Sequence, residues 1–165
     1  MSRPAKTRSK KYRPKFVASN PLTQFFGGMS GDHIEHLRLI QIRSHKALAD
    51  MAQGAGTREG WDLLVGAINM ANVMCEQKIG NEFRAQTIAA RDALLEVGKR
   101  ILKIDRVILK GDELNAIREG LACHDAQLEN VRAIDVERAC REVDRRVRHH
   151  INSTSVAREL AREAA

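Results

Sequence analysis

Aromatic residues, prolines, cysteines and long apolar runs are all scarce in this chain. Aromatics make up 4% of it, as one Trp, one Tyr and four Phe. With Ala, Leu, Arg and Glu abundant, that mixture favours helices over sheets. Cys75, Cys123 and Cys140 are odd in number, widely spaced and contain no C-x-x-C pair. They point away from a disulfide framework and from a thiolate zinc site, and each falls on or near an apolar stripe as a small core residue. No apolar run approaches the roughly 18 residues of a membrane span, and the first residues lack the apolar core of a signal peptide. Absence of a glycine-rich phosphate loop, of G-x-S-x-G and of Glu-x-x-His removes the familiar signatures of nucleotide, acyl-transfer and di-metal chemistry.

Acidic residues are also missing from one place. Residues 1–31 contain Arg3, Lys6, Arg8, Lys10, Lys11, Arg13 and Lys15 and no Asp or Glu, so the net charge of +7 belongs to this stretch. The remaining residues balance 21 basic against 21 acidic side chains. With Pro4, Pro14 and Pro21 and a closing Gly27, Gly28 and Gly31, residues 1–31 read as a disordered basic arm and linker. Phe16, Val17, Leu22, Phe25, Phe26 and Met29 are apolar enough to dock on the folded part.

From residue 32 a helical pattern takes over, and 165 residues suit one domain. Asp32 with Glu35 predicts a capping box for a first helix running to about Gln53. Its apolar face is Ile34, Leu37, Ile40, Ala47, Leu48 and Met51, stopped by Gly54-Ala-Gly56. Thr57 caps a second helix over about 58–79, apolar almost all round and therefore central or shared in a homodimer. Asn69 and Asn72 within it fix register or mark a recognition surface. A third helix carries Phe83, Thr87, Ala90, Leu94, Val97, Ile101 and Ile104. Arg106–Gly111 reads as an extended, packed linker, with Asp112 as the next N-cap. A fourth helix carries Leu114, Ile117, Leu121, His124 and Leu128. A fifth, which could continue the fourth as one kinked rod, carries Val136, Cys140, Val143 and Val147. The expected architecture is all-α: a four- to five-helix antiparallel bundle over 32–151, with sequential helices as neighbours and a helix-prone tail over 152–165.

Site candidates are few. His33 and His36, spaced H-x-x-H beside Asp32 and Glu35, lack the i, i+4 spacing of a zinc helix and read as solvated histidines. His124 beside Asp125 has the order of an oriented base without a nucleophile; on the Leu121 and Leu128 stripe it reads as a half-buried core histidine. No catalytic residue, metal ligand or cofactor is assigned, and a non-enzymatic role is expected. In the fifth helix Arg138, Arg141, Arg145 and Arg148 recur at helical spacing, interleaved with Glu137, Glu142 and Asp144. That stripe faces phosphates or an acidic partner, or is a solvated face laced with ion pairs. The arm is the leading functional feature: its bases can follow a nucleic-acid backbone non-specifically while Tyr12 stacks on a base.

At Lys10-Lys-Tyr-Arg-Pro14, Leu109-Lys-Gly-Asp-Glu-Leu114 and His124-Asp-Ala-Gln-Leu128 the chain resembles uncharacterised small helical proteins encoded by phages and prophages of proteobacteria. The resemblance implies a bacterial host cytoplasm and an accessory phage role. Two readings follow. One is a nucleic-acid-associated protein working through its arm; the other is a protein-binding module that inhibits a host or defence complex by presenting a helical face.

Overall fold

Capping chemistry sets the boundaries of the helices. The computed structural model describes residues 33–129 and 131–148; the basic arm and the 152–165 tail lie outside the described residues. Among the described residues there are five α-helices: α1 (His33–Ala52), α2 (Arg58–Glu76), α3 (Arg84–Ile104), α4 (Gly111–Glu129) and α5 (Ala133–Arg148). A 3₁₀ turn, Asn81–Phe83, precedes α3, and the described residues contain no strand. This is the antiparallel all-α bundle expected from the sequence.

After α1, Gly54 turns left-handed at φ 78°, and the Ala55 N–H reaches back to the Asp50 carbonyl at 2.8 Å. Thr57 Oγ1 then accepts the Gly60 N–H at 3.1 Å and opens α2. That helix ends at Glu76, three residues before the expected stop. Lys78 adopts φ 65°, and the Ile79 N–H caps the Met74 carbonyl at 2.9 Å, a left-handed C-cap completed before Gly80 is reached. Asp112 is not the cap of α4, which starts one residue earlier. Lys110 takes the cap position, its N–H donating to the Glu113 carboxylate at 2.8 Å, because an acid at the third helical position supplies the acceptor.

α2 is the central element, packed by α1, α3, α4 and α5. Its first half joins Ala47, Leu48 and Met51 of α1, Leu94 and Val97 of α3, and Ile117 and Leu121 of α4 around Leu64 and Ile68. Its second half presents Met70, Val73 and Met74 to Val136, Ala139, Cys140 and Val143 of α5. Leu64, Ile68, Met70 and Met74 have essentially no exposed surface, so truncating any of them to Ala is expected to remove roughly 2–5 kcal/mol. Asn72 performs the register role: its Nδ2 donates to the carbonyls of Ile68 and Thr87, and its Oδ1 accepts the Thr87 hydroxyl at 3.1 Å.

Two packing expectations change. α4 and α5 are separate helices, and α5 lies principally on α2 because its narrow Val/Ala/Cys stripe packs on Met70, Val73 and Met74 in the second half of that helix. Ile104 is exposed, since Asp105 ends α3 in a left-handed C-cap and turns the last residue away from the core.

Candidate nucleic-acid interface

The arm residues Arg3, Lys6, Arg8, Lys10, Lys11, Tyr12, Arg13 and Lys15 lie outside the described residues. The described part of the candidate interface is α5, whose apolar stripe sits on α2 and whose other faces carry the arginines. All four arginines singled out by their spacing are side-chain exposed, and all four are held by carboxylates of their own helix. Arg138 reaches Asp135 at 3.2 Å, Arg141 pairs with Glu137, Arg145 meets Glu142 at 2.7 Å, and Arg148 lies 3.5 Å from Asp144. Arg132, just before the helix, closes on Asp135 at 2.7 Å.

Sequence spacing did not single out Arg146, which ties the helix down. One position off the outward stripe, it bonds Glu142 at 2.6 Å and crosses to Glu76 of α2. The signal lay in the Glu142 and Arg146 spacing of four, which favours a pair on one helix face. The α2–α5 groove beside it has a volume of 530 Å³ and is lined by Val73, Glu76, Gln77 and Glu142 and by Arg138, Arg141, Arg145 and Arg146.

The electrostatics follow from these bonds. Hydrogen bonds from Arg145 and Arg146 hold the Glu142 carboxyl down at about 2. The hydrogen bond from Arg132 lowers Asp135, and the bond to Glu76 raises Arg146. Asp135 and Glu142 are thus held in the charged form, each against a guanidinium that a phosphate would need. The face is of mixed charge, and an incoming anion competes there with a carboxylate partner.

The histidines divide. His33 and His36 have side chains outside the described part. Asp125 does not orient its neighbour His124. It accepts instead from His45 Nε2 at 2.6 Å and Gln41 Nε2 at 3.1 Å, joining α4 to α1 across eighty residues of chain. His124 is buried, with Nδ1 3.4 Å from Gln127 Oε1. No group of three or more His, Cys, Asp or Glu among the described residues is placed to hold a metal. Cys75 and Cys140 are buried free thiols and Cys123 is half-buried. Burial pushes the Cys140 thiol up to about 12, so it fills space rather than reacts.

No helix among the described residues is long and apolar enough to cross a membrane. Comparison with known protein families, with curated proteins and with solved structures finds no match for this chain.

Proposed function

We propose that the protein is a non-enzymatic accessory protein of phage type that associates with nucleic acid through its basic arm, the helical bundle serving as the body that carries it. The observation behind this reading is the segregation of charge. Seven basic and no acidic residues fall within 1–31, the rest is neutral on balance, and the arginines of α5 are already matched by their own carboxylates. Uncompensated positive charge is therefore concentrated in the arm, where Tyr12 adds a stacking platform. Arg138, Arg141, Arg145 and Arg148 form a secondary surface that engages phosphate only by exchanging carboxylate partners.

A gel shift comparing the full chain with one starting at Asn20 tests this. Release of one counterion per phosphate contact by five to seven arm charges gives a slope of log K against log salt of roughly −4.5 to −6 for duplex DNA. Equal retention of DNA by both chains would refute the arm's role.

The alternative, a protein-binding module, no longer draws support from the apolar second helix, because four neighbouring helices cover α2. A different element favours it, the segment between α3 and α4.

A further inference from the structure

Residues 105–110 cross the end of the bundle as a strap between α3 and α4. Val107 and Leu109 are half-buried against the core, whereas Arg106, Ile108 and Lys110 are exposed. This period of two is that of an extended strand, on which successive residues turn their N–H and C=O groups to opposite edges. One edge is partly occupied. The Ile108 carbonyl accepts from the Arg100 guanidinium at 2.9 Å, the Lys110 N–H donates to Glu113 at 2.8 Å, and the Lys110 carbonyl accepts the Leu114 N–H at 2.9 Å. The N–H and C=O of Val107 and Leu109, which on an extended chain point to the other edge, have no hydrogen-bond partner among the described residues. Unpaired N–H and C=O groups along one edge of an extended segment are a template for pairing with another chain. Beside the strap lies a concavity of 420 Å³, lined also by Gly56 of the α1–α2 turn and by Arg58.

We propose that the Val107–Leu109 edge is a strand-addition site for an extended, acidic peptide segment of a partner protein. Strand addition draws affinity from main-chain bonds and specificity from alternate side chains. A segment paired across Val107 and Leu109 sets one of its residues opposite Ile108, which is 42% exposed, and the residues two before and two after it opposite Arg106 and Lys110. Neither Arg106 nor Lys110 has an ion-pair partner among the described residues. The complementary pattern is acidic, any, apolar, any, acidic. Charge also rejects a second copy of this chain as the occupant. Antiparallel self-pairing about Ile108 sets Arg106 against Lys110, and parallel pairing sets each cation against itself, both destabilising. The same two cations that guard the edge against self-association therefore select an acidic strand. Arg100, gripping both Ile108 and Glu113, keeps the strap preformed, so little ordering is left for binding to supply.

The test is a residue-resolved NMR titration of the isotopically labelled full chain with a capped peptide, Thr-Glu-Thr-Val-Thr-Glu-Thr. Expected are saturable shifts at the amides of 106–109 and slowed hydrogen exchange at Val107 and Leu109. The peptide N-methylated on its strap-facing amides should lose binding. The exposed double variant Arg106→Glu with Lys110→Glu should weaken binding roughly tenfold while leaving helicity unchanged. Shifts confined to the basic arm, equal binding of methylated and unmethylated peptides, or equal binding of a Lys-for-Glu peptide would each overturn the proposal. The outcome does not depend on whether the arm retains DNA.

Discussion

His124 and Gln127 share one hydrogen bond, and it decides the state of the imidazole. Gln127 Nε2 is committed to α2 and its C-terminal turn, donating to the Ile79 carbonyl at 2.8 Å and the Ala71 carbonyl at 3.2 Å. Its Oε1 is thereby left facing His124 Nδ1 at 3.4 Å, so the neutral ring carries its proton on Nδ1. Nε2 then faces a buried environment without a partner.

A proton added at Nε2 would place an unsolvated charge in the core, and burial accordingly lowers the His124 pKa from 6.5 to about 4. A base whose folded pKa is depressed stabilises the fold fully above its unfolded pKa and ceases to do so as pH falls toward the folded one. Urea denaturation between pH 7 and pH 4 should therefore show a loss of about 3 kcal/mol from this group. His124→Gln should flatten that part of the profile. Glu142 contributes in a lower window, below its ordinary value of 4.5 and down to about 2. If the wild-type and variant profiles run parallel from pH 6.5 to 4, His124 is not the titrating group.

Local chemistry was legible in the sequence and long-range partnership was not. Thr57 and Gly54 announced their caps, and the all-round apolar character of α2 announced its central place, because both signals are carried within a few residues. His124 was recognisable as a core residue from its stripe. Its missing Nε2 partner was not, since that depends on where Gln127 is held by α2. Asp125 beside His124 suggested a pair, yet side chains adjacent in a helix point about 100° apart, and Asp125 finds His45 instead. The same geometry hid Arg146 behind the more regular outward stripe.

Glycine inside α4 is explained by a neighbour rather than by a turn. A Cβ on Gly120 would stand 2.4 Å from Ala90 Cβ of α3 and 3.2 Å from Ile68 Cδ1 of α2. Gly120→Ala gains helix propensity of about 1 kcal/mol but must separate two backbones, and the net expectation is a loss of roughly 1–3 kcal/mol. Ala90→Gly in the same chain removes the opposing methyl and should restore part of that loss. Denaturation followed by fluorescence of Trp61, whose Nε1 donates from α2 to the Leu94 carbonyl of α3, reads the unfolding of both variants. Additive destabilisation by the pair would show that the two positions do not meet.

The arginines of α5 separate structure from binding. Arg146 is 18% exposed in its side chain and bridges two helices, whereas Arg141 is 73% exposed and pairs within one. Discounted for solvent screening, Arg146→Ala should lower stability by about 1 kcal/mol and expose α5 amides to exchange first, with Arg141→Ala near neutral. For binding the logic reverses. Were Arg138, Arg141, Arg145 and Arg148 free to meet four phosphates, changing all four to Gln would reduce the salt slope of DNA retention by about 3.6. Each is paired instead with Asp135, Glu137, Glu142 or Asp144, two of which also hold Arg132 and Arg146, so a phosphate meets a charge-compensated face rather than four free guanidiniums. The quadruple variant should then change the slope by less than about 1, and deletion of the residues before Asn20 should remove most of it. A large change in the quadruple variant with the arm intact would move the binding surface from the arm to α5.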